Sequence, residues 1–277
     1  MANLPRPQAQ ALRVYVEGIG LLGPGLASWA HGRQCLDGSV AYESERCVLP
    51  LPMALPSAER RRAGAVVKVS LAVCEQAVSA SGLDPKQLAS VFSSSSGDAV
   101  NCHEICNMLA SGDRLISPTR FHNSVHNASS GYWSISSGSM ASSSVLCARD
   151  AGFAAGLLEA MTQCVVDARP VLLAVYDTEY PEPLFSKRPL PDTMGVALVI
   201  APRRSERSVA SITLDGGTYM TTAAADTMAD PALETLRRSI PAARGLTLLE
   251  CITQGEARSV VLDYLEPTQF QVEVSPC

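Results

Sequence analysis

SPTRFHNSVHNASSGYWSISSGSMASSSVLCARDAGFAAG, residues 117–156, is the stretch that decides the fold. Its first part belongs to a segment, residues 113–126, without apolar periodicity, which predicts a loop. Asn127 to Gly138 predicts a helix rich in small side chains, stopped by Gly138. Val145 and Leu146 predict a short buried strand leading into Cys147, and Phe153 to Val166 predicts a second, apolar helix.

Working outward, Leu12 to Ile19 is a β-branched apolar run followed closely by Gly20, Gly23 and Gly25, which predicts a buried strand entering a tight turn. Val171 to Tyr176, Val196 to Ile200 and Val209 to Leu214 predict further buried strands of a layered α/β domain. From Ser57, the apolar positions Ala63, Val67, Leu71, Cys74 and Val78 recur at three or four residues and stop at Gly82, which predicts a helix with one buried stripe. Leu88 to Phe92 predicts a short strand, and Ser93 to Ser96 with Gly97 and Asp98 a loop opening a helix. The proline-rich residues 40–56 predict a loop. After Asp230 the pattern predicts a helix, Ala232 to Ser239, and two or three short strands.

The 277 residues are 47% apolar and 18% charged, enough for a sizeable core and no case for disorder. A net charge of −5 excludes a nucleic-acid partner, whose phosphates demand a basic surface. Arg60, Arg61 and Arg62 are the one dense basic run in the first half, and they predict a solvated helix face. Nine cysteines behind an N-terminus with no signal-like apolar segment predict a cytoplasmic location. The longest apolar runs fall far short of the ~20 residues of a membrane span.

Cys102 and Cys106, and His122 and His126, stand at spacings that zinc sites use. The first pair lies on a predicted helix where a cysteine can be core, no knuckle context surrounds it, and no metal is expected. The glycines after Leu12 lack the full G-x-G-x-x-G register, so no dinucleotide or other cofactor is expected. Cys147, between a serine-rich segment and an apolar helix, is a candidate nucleophile, weighed against an ordinary packed cysteine.

Taken together, these segments resemble the β-ketoacyl synthases. Arg13 to Pro24 is similar to that family's opening strand and glycine turn. Ser117-Pro118, Asn127-Ala128-Ser129-Ser130-Gly131 and Gly138 resemble its S-P…N-x-x-x-G…G series, and Asp150 to Gly156 resembles the segment that carries the nucleophile and the helix behind it. The fold implied is α/β and thiolase-like: the N-terminal half of a ketosynthase, layered α-β-α around a mixed sheet. Residues 1–277 are expected to form one truncated ketosynthase-like domain, with 12–215 resembling the N-terminal half and 216–277 a divergent C-terminal extension. The nearest likeness within the family is to the short chain-length factors of aryl polyene biosynthesis.

The resemblance puts Asp150 at the catalytic cysteine, and an aspartate cannot form an acyl thioester. No histidine follows Asp215, whereas condensing enzymes use two from their C-terminal half. The implied function is a non-catalytic chain-length factor that pairs with a complete β-ketoacyl synthase and meets acyl carrier protein through the complex. By the same resemblance Phe121, His122, Ser124, Val125 and His126 reach the partner and its acyl tunnel; the plainer alternative is a solvated loop with one buried phenylalanine. Two other functions stay open: a free-standing acyltransferase or thioesterase using Cys147, and a scaffold that stabilises its partner without shaping the tunnel.

Overall fold

Along Val171–Asp177 the side chains alternate between two apolar clusters, with Val171, Leu173 and Val175 on one face and Leu172, Ala174 and Tyr176 on the other. A strand buried on both faces has to be covered by helices on each side, and that is the architecture of the computed structural model, which describes residues 11–112, 114–215 and 219–277. In chain order the elements are β1 (Leu12–Leu22), α1 (Trp29–Leu36), α2 (Ser57–Arg62), α3 (Ala65–Ser81), β2 (Ala89–Ser94), α4 (Ala99–Ala110), α5 (Pro118–His122), α6 (Ala128–Ser137), β3 (Ser143–Cys147) and α7 (Gly152–Val166). There follow β4 (Val171–Asp177), α8 (Leu184–Lys187), β5 (Met194–Ala201), β6 (Ala210–Leu214), β7 (Met220–Thr221), α9 (Pro231–Ser239), α10 (Leu246–Gln254), β8 (Arg258–Leu262) and β9 (Gln269–Pro276).

The strands form one mixed sheet in the order β3-β2-β4-β5-β1-β6-β9-β7, with β8 also paired to β9. β2 runs parallel to β3 and β4, and the other pairings are antiparallel. One face packs against α7, α9 and α10 through side chains such as Phe153, Leu157, Leu236 and Leu249; the other packs against α3 and α6 through Val69, Val73, Tyr132 and Trp133. Each fully buried Leu or Phe contributes roughly 1.5–3 kcal/mol.

α3 lies unusually close to β1. A Cβ at Gly18 would sit 2.1 Å from the Ala77 carbonyl oxygen, and one at Gly20 would sit 2.0 Å from that of Val73. The glycines of the first strand thus serve helix–sheet contact, and α3 buries far more than one stripe. The helix expected from Ser57 onward is two helices, broken at Ala63 and Gly64. The expected loop 113–126 contains α5, whose start is preset by Pro118 at its first turn. Residues 219–277 add three strands to the same sheet and two helices to its core. Among the described residues no helix is long and apolar enough to cross a membrane.

Candidate functional site

At the end of the parallel trio β3-β2-β4 the chain turns from β3 into α7 through a single 3-10 turn, Arg149–Ala151. Arg149 takes a left-handed backbone, φ 51°, a conformation that costs a non-glycine residue energy and that marks sharp strand-to-helix turns. Asp150 is the next residue. Positions 148–151 are Ala, Arg, Asp and Ala, so neither the strained residue nor its successor carries a thiol.

The Asp150 carboxylate is held from two sides. Arg188 donates to Oδ1, and Arg244 Nη2 lies 3.9 Å from Oδ2. Partial burial works against its charge, but the Arg188 hydrogen bond and the charges of Arg188, Arg244 and Arg149 outweigh burial and hold the carboxyl below the usual range. Arg188 Nη1 also donates to the Tyr180 hydroxyl at 2.6 Å, and its guanidinium stands 5.5 Å from that ring's centroid. Tyr180 in turn bonds Ser96 Oγ at 2.6 Å and Ser95 Oγ at 3.3 Å.

Beneath this layer is Asp177, fully buried at the end of β4. Its oxygens accept from the Ser95 N–H at 2.8 Å and the Ala242 N–H at 2.9 Å. On the outer side Arg244 Nη1 lies 3.6 Å from Asp263, which also pairs with Arg237, itself bidentate to Glu234 at 2.7 and 2.8 Å. The C-terminal residues are therefore tied by charge to the β3–α7 turn. The cluster is a closed ion-pair and hydrogen-bond network in which every acid meets an arginine or an N–H.

Cys147, at the end of β3, is exposed, and its Sγ lies 2.9 Å from the Ser95 carbonyl oxygen, toward which it donates. No histidine enters the network: His31 lies on α1, His103 bonds Asn107 within α4, and His122 and His126 lie on or just after α5. Cys102 and Cys106 are both exposed on α4, neither of them core. No cluster of three or more side chains able to hold a metal occurs among the described residues.

Phe121, His122, Ser124, Val125 and His126 are all exposed, Phe121 at 68% and Val125 at 52%. The loop thus has no buried phenylalanine. Phe121 and Val125, with Pro118, Tyr132 and Ile135, line an open hollow of about 510 Å³. Ser124 Oγ donates to the Phe121 carbonyl and fixes the turn, while the His126 ring lies over Gly97. Other apolar side chains in this part of the chain are exposed as well. α4 buries only Ala99 and Asn101 although it carries Val100, Ile105, Met108 and Leu109, and Leu115 and Met140 are 72% and 97% exposed. Val145 and Leu146, expected to be buried, are only half-buried, because β3 is the edge of the sheet.

Sequence reasoning reached the turn at Asp150 but not Asp177, Tyr180, Arg188, Arg244 or Asp263. Only Asp177, a charge ending an apolar strand, left a local trace.

A mixed sheet with helices on both faces is the architecture of the thiolase-like ketosynthase structures. Within that class, the sequence matches the β-ketoacyl synthase N-terminal domain over residues 29–261, and the chain belongs to that family. The fold is similar to a chain in the complex of the ketosynthase ApeO with its chain length factor ApeC from Xenorhabdus doucetiae, with a TM-score of 0.66, 22% identity, and coverage of 95% of this chain and 99% of that one. It is similar to a chain of the ishigamide ketosynthase/chain length factor (TM-score 0.71, 10% identity, 95% and 99% covered). It is also similar to a chain of AntDE:AntF, a type II polyketide acyl-carrier protein in complex with its ketosynthase bound to the hexaketide (0.72, 11%, 97% and 100%). At these identities the likeness is one of fold. No curated protein matches the sequence.

Proposed function

We propose that this chain is the non-catalytic, chain-length-factor subunit of a ketosynthase heterodimer, and that it helps bound the cavity in which a growing acyl chain lies. The observation that carries it is the β3–α7 turn, where Arg149 takes a left-handed backbone and Arg188 and Arg244 hold the carboxylate of Asp150, the residue that the family resemblance sets at the nucleophile's position. A carboxylate neutralised by two guanidinium groups is a poor nucleophile, and no histidine stands by to decarboxylate a substrate. Cys147 offers little instead: its thiol donates to a carbonyl and has no base beside it.

The partner reading is supported by the sheet's two ends. The β8 edge is covered, since Asp226 donates its N–H to the Val261 carbonyl and accepts the Val261 N–H on its side chain. β3 has no such cover among the described residues, and Leu109 on α4, Phe121 and Met140 are exposed apolar side chains. An open strand edge together with exposed apolar surface is what an obligate interface needs. The partner is then a complete β-ketoacyl synthase, acyl carrier protein is met through the complex, the location is cytoplasmic, and the pathway is of the aryl polyene or polyketide type. Residues 12–215 form the part equivalent to a ketosynthase N-terminal half within one domain.

The test is co-expression with a full-length β-ketoacyl synthase from the same source, followed by incubation with acyl carrier protein thioesters and intact-mass measurement of both chains. Acyl adducts are expected on the partner's cysteine and none on this chain. A stoichiometric adduct on Cys147 would overturn the non-catalytic assignment.

A further inference from the structure

We propose that the hollow between β1, α1 and α10 binds a small monocarboxylate with a compact apolar body, for which Arg33 and Arg207 supply the counter-charge. The inference does not rest on the subunit function above.

The hollow encloses about 310 Å³, at the small end of ligand pockets (~300–1,000 Å³). Its walls combine two kinds of group. Ile19, Val209, Ile252 and the half-buried Trp29 give an apolar, partly aromatic lining. Arg33 and Arg207 give two guanidinium groups, and neither makes an ion pair among the described residues, whereas Arg46, Arg120, Arg169, Arg188, Arg237 and Arg258 each reach a carboxylate. Arg207 is held in place: its guanidinium lies against Gly82, at the C-terminus of α3, where the helix dipole favours a cation.

The third charge is Glu17. β1 has a register shift between Val16 and Gly18, a bulge of the kind that re-aims a side chain, and Glu17 is the residue inside it. Both its oxygens are engaged, Oε1 by Ser208 Oγ at 2.6 Å and Oε2 by Ser205 Oγ. Glu17 therefore anchors the 205–208 turn that carries Arg207 and pairs with neither arginine; Arg33 feels Asp37 only through charge, without a direct ion pair among the described residues. Two arginines and one glutamate leave the lining with one net positive charge. A monoanion neutralises it; a dianion would leave a negative charge beside Glu17. The planar fork of arginine suits a carboxylate, and the Trp29 side suits an apolar body.

Benzoate is the probe, titrated into the full chain in the assembly in which it is isolated. Tryptophan emission is followed in wild type and in Trp29→Phe, and the difference reports Trp29. A saturable change is expected, present in wild type and absent in Trp29→Phe. Arg33→Gln and Arg207→Gln should each weaken binding about tenfold or more, and benzamide, the same shape without the charge, should bind weaker by a similar factor. Arg33 is exposed on α1, so its variant keeps the fold and decides the matter even if Arg207→Gln does not fold. Three results would each overturn the proposal: no saturable response up to about 10 mM benzoate, unchanged affinity in Arg33→Gln, or inorganic phosphate binding as tightly as benzoate.

Discussion

Asp177 and Asp150 are two carboxylates within one network whose environments push them in opposite directions. Burial drives the Asp177 carboxyl up to about 6, against the hydrogen bonds from Ser95 and Ala242 and the charge of Arg188. In the unfolded chain an aspartate titrates near ~3.9. Between these values the native state keeps a proton that the unfolded state has lost, so stability falls as pH rises through that window, by about 3 kcal/mol in all. Asp150 has the opposite sign: its lowered carboxyl adds stability above its unfolded value, which is lost as the solution is acidified. Asp177→Asn removes one titration and leaves the other. Urea unfolding of both proteins at about pH 4 and about pH 7 should show the variant gaining roughly 2 kcal/mol on wild type at the higher pH. A pH-independent difference would mean that Asp177 is ionised throughout. Two thiols are made inert by their surroundings: burial pushes the half-buried Cys47 and the buried Cys164 up to about 12.

Under the proposed function, β3 is the element on which partner binding depends. In its parallel ladder the Ser142 carbonyl accepts from the Ser90 N–H, and alternation then directs the backbone groups of residues 144 and 146 to β2 and those of Ser143, Val145 and Cys147 outward. Val145→Pro deletes an outward donor without touching the bonds to β2, and edge positions tolerate proline. The expected result is a folded chain, judged by circular dichroism, that no longer co-purifies with the synthase; retained co-purification would place the interface elsewhere. The strands and α7 were legible because their periods of two and 3.6 are written in apolar residues, and Gly138 and Gly82 mark real helix ends. β3's half-exposure was not, since four apolar-flanked residues read alike whether or not another strand follows in space. The network around Asp150 was equally hidden. Arg188 lies 38 residues away in a proline-rich segment, and no local pattern says which of many arginines a fold will bring to a given acid. The left-handed backbone at Arg149 belongs to the turn, with no glycine or asparagine to announce it.

For the molecule as a whole, the β8 edge is capped at Val261 by Asp226, whereas among the described residues no strand or cap pairs the outer edge of β3. Under the proposed heterodimer, the exposed apolar residues of α4, α5 and α6 and the hollow at Phe121 would meet the partner as well. The ring of Phe121 is exposed in this chain, and under the proposed heterodimer it would be an anchor buried in the pair. Phe121→Ala should cost association about 2 kcal/mol or more, roughly thirtyfold in affinity, measured by titrating the two purified chains or by pull-down yield. Ser124→Phe and Val125→Trp act differently. Both side chains are exposed, so neither change disturbs the core, and both add volume at the hollow's rim. If this face bounds the acyl cavity, added volume shortens the space each new unit must enter, and the intact complex should release shorter chains, read by mass spectrometry of the products. Normal association with unchanged product length would leave the chain a scaffold that holds its partner without shaping the tunnel, and Phe121→Ala would then lower yield without altering length.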